Sequence, residues 1–447
     1  MKIKIIVQLL IAVLFTGMFS MAIHAAQQQG TVTTDQQLKV MGKLIDELQR
    51  EIAALKTHEH AHAHKIIFTT SPYIGLNSAY DASDLTANFS TMNEDLFLLR
   101  QRKQMEQTMH AEGKLFSDRS VIEIGGGLEG QLLSVFRSKA HSSTDLDLTR
   151  ADINILAQIS EWAIGFMTIA YDNSALLPTP GGIAIANSRF FLPRGFLTLG
   201  NLTQSPLYAS FGQMYVPFGR YASNLLSPPL TLKLGRTTGR ALLFGFDHRG
   251  INGSIYAFRG NAHPVNTGGN QWGVNIGYHY EYCDYKAKLG AGYIANIADS
   301  NGMRSSWLAF TGGFATVDSL AQRIPGMDFH GEFSKGPYDL FAEYIGATAT
   351  FAPNDLSFNG QGAKPQAMHL ELAYHPKTVK PSTLGAGYDQ SWQIFNIPQK
   401  SLFALYTTSL WKNTIETVEY RRDISNKLSG SGRENSNTVV AQVGFYF

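Results

Sequence analysis

The stretch Gln271-Trp272-Gly273-Val274-Asn275-Ile276-Gly277-Tyr278-His279-Tyr280-Glu281-Tyr282 decides the fold. Trp272, Val274, Ile276, Tyr278, Tyr280 and Tyr282 share one parity, and Gly273, Asn275, Gly277, His279 and Glu281 share the other. A period of two belongs to a β-strand, whose successive side chains point to opposite faces. In a soluble sandwich the apolar set would rest on a core. In a membrane barrel it faces lipid and the polar set lines the lumen.

The same alternation extends over residues 120 to 447. Ala151, Ile153, Ile155, Ala157 and Ile159 oppose Arg150, Asp152, Asn154, Gln158 and Ser160. Met368, Leu370, Leu372 and Tyr374 oppose His369, Glu371 and His375, and Val439, Ala441, Val443, Phe445 and Phe447 share one face. Sixteen candidate strands start near residues 120, 146, 163, 189, 207, 240, 250, 271, 284, 324, 338, 366, 382, 400, 414 and 436. Their connections alternate. Those around Glu161, Asn201–Ser205, His248, Cys283, Lys335, Thr378 and Lys412 are short, and those at 173–188, 215–239, 297–323 and 348–365 are long. Short periplasmic turns and long outer loops are the barrel pattern, and a sandwich has no reason to sort its loops. Trp162, Tyr280, Tyr282, Tyr285, Trp411 and Phe447 crowd the short-turn side, as an interfacial girdle would. The expected fold is all-β: a transmembrane antiparallel β-barrel of about sixteen strands over 120–447, with both ends in the periplasm.

Composition agrees with a barrel. Charged residues make up 16% of the 447, against about 25% in soluble domains. The net charge of +2 gives no ground for a nucleic-acid partner. One cysteine, Cys283, excludes a disulfide framework. Lys2 and Lys4, the apolar run from Ile5 to Phe19, and Ala22, Ala25 and Ala26 read as a signal peptide over 1–26. An uncleaved anchor is the competing reading, but the run is short for a span of about 20 residues. No other stretch is apolar enough to cross a bilayer as a helix.

Residues 27–65 are expected in the periplasm. Leu38, Met41, Ile45, Leu48, Ile52 and Leu55 form an a/d seam within a helix over 34–57. So narrow a seam calls for a partner helix, hence homo-oligomerisation through a coiled coil. The alternative is a lone amphipathic helix on its own chain. His58, His60, His62 and His64 follow as a comb that could ligate a divalent metal, or serve as a polar linker. Residues 66–119 form a periplasmic or lumen-associated segment. Tyr73–Leu76 suits a short strand, and Thr91 or Asn93 can cap a helix running to about Ala111.

The 215–240 loop carries Arg220, Lys233, Arg236 and Arg240 and no acid. Such a loop over a pore mouth would attract anions, or alternatively bind anionic lipopolysaccharide. Asp328, His330, Glu332, Glu343, His369 and Glu371 fall on inward positions and make one wall acidic, while Arg150, Lys286, Lys288, Glu419 and Arg421 occupy other inward positions. Opposed walls would set up a transverse field that orients dipolar solutes. Gly125-Gly126-Gly127 lacks a following Lys and sits in a strand, so it is no phosphate loop. With no nucleophile elbow, no enzyme and no cofactor are expected.

Several stretches then carry a resemblance. Ser71-Pro72-Tyr73-Ile74-Gly75, Asp81-Ala82-Ser83-Asp84-Leu85 and Asn93-Glu94-Asp95-Leu96 are followed by Gly212-Gln213-Met214-Tyr215-Val216-Pro217-Phe218-Gly219-Arg220. Ser227-Pro228-Pro229-Leu230 and Leu234-Gly235-Arg236-Thr237 come next, in the same order. The chain resembles the legiobactin-receptor type of outer-membrane siderophore porin. That resemblance implies a barrel of about sixteen strands in outer-membrane lipid, taking up ferric siderophore and lacking the large plug of energy-coupled receptors. It fixes no ligand contact residue by residue. From the charge reading, Arg220, Lys233, Arg236, Arg240, Arg150 and Arg421 are the candidate ligand-binding residues. The alternative function is a trimeric anion-selective diffusion porin, which also joins a coiled coil to sixteen strands. A structural or adhesive barrel with a closed lumen is a third reading.

Overall fold

Period-two patterning needs a partner strand on both sides wherever lipid replaces water, because every backbone N–H and C=O must be satisfied internally. The computed structural model, which describes residues 67–70, 92–111, 121–137, 141–172, 189–262, 264, 268–304, 320–394, 397–425 and 435–447, meets that demand by closure. The expected signal peptide, the 34–57 helix, His58 to His64 and Tyr73–Leu76 lie outside the described residues. Ile66–Phe447 forms one compact unit, and the description concerns that unit.

The strands are β1 (Val121–Arg137), β2 (Ser143–Ser160), β3 (Ala163–Asp172), β4 (Arg189–Gly200), β5 (Leu207–Tyr215), β6 (Thr238–His248), β7 (Ile251–Arg259) and β8 (Asn270–Tyr282). They continue as β9 (Tyr285–Ile294), β10 (Gly326–Lys335), β11 (Tyr338–Ala347), β12 (Gln366–Tyr374), β13 (Ser382–Trp392), β14 (Lys400–Thr408), β15 (Thr414–Ile424) and β16 (Ser436–Tyr446). Each pairs antiparallel with the next, and β16 closes on β1 from Ser436↔Arg137 to Tyr446↔Gly127. All sixteen begin within three residues of the starts expected from alternation. A further short strand, Ile67–Thr70, runs parallel to β1 from Ile67↔Val121 to Thr70↔Ile124. It covers Val121–Ile124 of the β1 edge that β16 does not reach, and Gly126 exchanges backbone hydrogen bonds with Phe447 beside it.

Side-chain exposure follows the parity. Trp272 is 47% and Ile276 57% exposed, whereas Gln271 and Asn275 between them are buried. Trp162, Tyr280, Tyr282, Tyr285, Trp411 and Phe447 are all exposed. Short connections gather at one end. The β6–β7 turn holds Arg249 at φ 53° and Gly250 at φ 85°. Two positive φ values in a two-residue loop make a type I′ turn, whose twist matches the hairpin.

Two elements break the β pattern: helix α1 (Glu94–Ala111), which begins where Asn93 or Thr91 was expected to cap it, and helix α2 (Leu230–Gly235) in the β5–β6 connection. Among the described residues no helix is long and apolar enough to cross a membrane.

Candidate functional site

The β5–β6 connection was expected over a pore mouth. It lies inside the barrel. Its sequence explains why: Val216, Phe218, Leu230 and Leu234 are apolar, and all are fully buried. Buried apolar area contributes about 25 cal/mol per Å2, so these side chains are driven off water. Gly219 takes φ 82° and permits the turn that sets the Tyr221 hydroxyl to donate to the Phe218 carbonyl at 2.7 Å. A Cβ at Gly219 would collide with the Tyr221 ring. Helix α2 packs on β11, β12 and β13.

Entry into the lumen buries backbone N–H groups of the loop, at Tyr221 and Asn224 fully, so they need partners there. Wall carboxylates take them. Glu343 on β11 accepts the N–H of Arg220 at 2.5 Å and of Tyr221 at 3.0 Å, and the Thr231 hydroxyl at 2.6 Å. Glu371 on β12 accepts the Ser223 hydroxyl at 2.7 Å and the Asn224 N–H at 3.1 Å. Glu419 on β15 accepts the N–H of Leu226 at 2.7 Å and of Ser227 at 3.0 Å. On β13, Asp389 accepts the Leu230 N–H at 3.4 Å. The Arg220 guanidinium meets Glu332 of β10 at 2.7 Å, and Lys288 of β9 holds the same carboxylate at 2.8 Å. The acidic wall is thus the seat of the loop.

Register lines up a polar row across that wall. His330 pairs with Glu343, Glu343 with His369, His369 with Asp389, Asp389 with Ser401, and Ser401 with Asp423. Within it, His369 Nδ1 lies 2.5 Å from Asp389, and the Arg421 guanidinium lies 2.8 Å from Asp423. Buried polar groups are costly unless satisfied, and here strand pairing brings their partners.

Helix α1 lies on the opposite inner wall. Glu94 meets Arg194 of β4 at 2.7 Å, Asp95 accepts the Ser210 hydroxyl of β5 at 2.6 Å, and Arg100 meets Asp247 of β6 at 2.8 Å. Further along, Arg102 donates to the Ser160 carbonyl at 2.7 Å and Thr203 donates to Glu106 at 2.7 Å, so the helix reaches the short-turn end. Arg220 also donates to the Met92 carbonyl at 3.5 Å, which ties the loop to the residues leading into α1.

The four expected mouth cations therefore do not gather. Arg220 is paired to Glu332. Lys233 is half-buried on α2. Arg236 lies 5.2 Å over the Tyr215 ring. Arg240 does not lean into the lumen: it is exposed, on the outward parity of β6 with Leu242 and Phe244. Strand β6 starts at Thr238, so its alternation governs Arg240. Arg150 and Arg421 do face inward. Arg150 is held by Glu129 at 3.2 Å and Asp152 at 2.7 Å. The expected transverse field is corrected too: the acidic wall faces a protein loop rather than open water. Asp389 and Asp423 were not singled out from sequence. Their parity marks them inward, but only register sets them beside His369 and Arg421.

No family model matches the chain. A UPF0422 protein of Legionella pneumophila is 34% identical, over 85% of this chain and 76% of its own length. The UPF0422 protein of Coxiella burnetii is 32% identical, over 92% of this chain and 91% of its own. In fold, the chain is similar to OmpF of Salmonella typhi, solved with daunomycin (TM-score 0.50, 13% identity, 73% of this chain and 97% of that one). It is similar likewise to the anion-selective porin of Comamonas acidovorans (TM-score 0.50, 12% identity, 74% of this chain and 100% of that one). These structures share its barrel fold, and the relatives fix its kinship: the chain belongs to the UPF0422 family.

Proposed function

We propose that the protein is a bacterial outer-membrane channel that takes up anionic solutes, with ferric siderophore as its cargo. One observation carries the reading: the lumen is narrowed by a loop that consumes the acids of its own wall. Glu332, Glu343, Glu371 and Glu419 all face loop donors. Lys286 and Lys288 on β9 stay about half exposed; Lys286 meets Glu281 at 3.0 Å and Lys288 shares Glu332 with Arg220, so three cations face two carboxylates there and the balance leans positive by one. Ferric polycarboxylate chelates are anions, and a narrow path lined by cations concentrates them. The exposed apolar belt fits outer-membrane lipid, with the short turns in the periplasm. The siderophore assignment rests on the sequence resemblance to the legiobactin-receptor type, and homo-oligomerisation through residues 34–57 rests on the a/d seam.

The alternative, a trimeric anion-selective diffusion porin, uses the same charge. The two part on saturation. Uptake of radiolabelled ferric siderophore by cells with and without the gene, together with conductance of the refolded protein in planar bilayers, separates them. Saturable uptake at low concentration that unlabelled chelate competes away supports the receptor. Chloride conductance without saturable uptake supports the porin. Loss of neither on deletion rejects both.

A further inference from the structure

At the short-turn end, a cavity of about 680 Å3 opens between helix α1 and the β4–β5 and β6–β7 turns. Its lining carries Arg100 and Lys103 from α1, His248 and Arg249 from the β6–β7 turn, and His279 from β8. Asp247 is the one carboxylate among the described lining residues. It is already taken: Arg100 holds it with Nε to Oδ2 at 2.8 Å and a second nitrogen to Oδ1 at 3.0 Å. His279 faces Glu281 at 3.8 Å, outside the cavity lining. Among the described residues no carboxylate pairs with Lys103 or Arg249.

We propose that this cavity is a binding site for a small multivalent oxyanion. Like charges drawn together without counter-ions repel, and fixed elements hold these in place. Arg249 sits on a type I′ turn that leaves its backbone little freedom, and Lys103 sits on a helix pinned at Arg100 and Arg102. A ligand with several anionic groups would neutralise both at once. The Arg249 fork matches a carboxylate or phosphate in two-point geometry, and Lys103 supplies a point charge. Gln104 adds an uncharged polar group to the lining, while Thr203 and Gln204 there donate to Glu106 and Glu161. The site is separate from the loop seat. It would act as an exit station for the proposed cargo, and in that respect it rests on the uptake reading.

The test uses full-length protein refolded in detergent at neutral pH and low salt, titrated calorimetrically with citrate and, separately, inorganic pyrophosphate. The variants are Lys103→Gln, Arg249→Gln and both together, with Arg240→Gln as an outward-facing cation outside the cavity. Each single change should weaken binding about 5- to 20-fold, a discounted share of a charged hydrogen bond because the groups are part-exposed. The double change should remove binding and flatten its salt dependence, and Arg240→Gln should leave binding as it was. Tighter citrate assigns a carboxylate ligand, and tighter pyrophosphate a phosphate ligand. Equal binding of wild type and double variant, or no binding of either anion by wild type, overturns the site. Bilayer conductance of the same samples keeps the readings apart. A conducting wild type that binds neither anion sinks this site alone. Binding that is lost in the double variant, with no conductance from wild type, keeps the site and sinks the channel.

Discussion

At the scale of single residues, Asp95 shows what a carboxylate gains and loses inside the barrel. It is buried on α1, accepts the Ser210 hydroxyl at 2.6 Å and its neighbour Leu96 N–H at 2.9 Å, and is raised above its ordinary 3.8 by burial despite both bonds. A docked acid with a raised pKa favours the protonated form. Its contribution to docking is full below 3.8 and is lost as pH rises through the raised value. Asp95→Asn keeps an oxygen for Ser210 and removes that titration. Hydrogen exchange of the α1 amides, corrected for intrinsic rates, should show wild-type protection falling as pH rises above 3.8 and through the raised value, with a flatter profile in the variant. Equal slopes would show that another group controls the helix. The arginines give a second contrast. Arg240 lies on the outward face, so Arg240→Ala should leave siderophore uptake unchanged and move stability by less than about 0.5 kcal/mol. Arg220→Ala removes the link to Glu332 and to Met92 and should alter both uptake and conductance. The reverse ranking in uptake assays would return the lipid-side cation to the mechanism.

At the scale of elements, the strands were legible and the loop's path was not. Trp272 to Tyr282 alternate because one face meets an apolar surface, and that requirement is local to the strand. The turn at Arg249–Gly250 is local as well. Loop 216–237 has no such period. Its apolar residues signal burial, yet nothing local says that the burying surface is the barrel's own lumen. The donors that hold it meet Glu343, Glu371 and Glu419, which are more than a hundred residues away in sequence. Charge counting misled for a related reason: four cations without an acid read as an open patch, but the counter-group of Arg220, Glu332, lies on another strand, Arg236 stacks over Tyr215, and Arg240 points outward. The latch can be measured. Glu371→Gln and Glu419→Gln each keep the side-chain volume and weaken charge-assisted hydrogen bonds, at about 1–3 kcal/mol per site. The double variant should open the constriction and raise single-channel conductance, while heat-modifiable mobility on gels shows that the barrel still folds. Conductance and blocking equal to wild type would mean that apolar packing of Phe218, Leu230 and Leu234 holds the loop unaided.

At the scale of the whole molecule, the barrel is nearly neutral in sum but not in what it shows to water. The net charge is +2, yet Glu332, Glu343, Glu371 and Glu419 face loop 216–237, whereas Lys103, Arg249, Lys286 and Lys288, with Glu281 beside Lys286, lie towards the short-turn end with part of their surface open. Low-dielectric walls focus the field of such groups along the path, so the selectivity of the open channel should follow the exposed charges and not the total. In a planar bilayer under a potassium chloride gradient, the reversal potential should therefore report chloride as the more permeant ion. Lys286→Glu with Lys288→Glu changes the sign of two lumen charges, leaving Arg220 as the partner of Glu332 and taking Lys286 from Glu281. That pair should lower the chloride-to-potassium permeability ratio by about tenfold, and the effect should shrink at molar salt, where screening acts within about 3 Å. A wild type that prefers potassium would mean that the acidic wall reaches the solute despite its loop. A charge reversal that leaves the ratio unmoved would place the selectivity step higher in the lumen, at Arg150 beside Glu129 and Asp152, where cations and acids already balance.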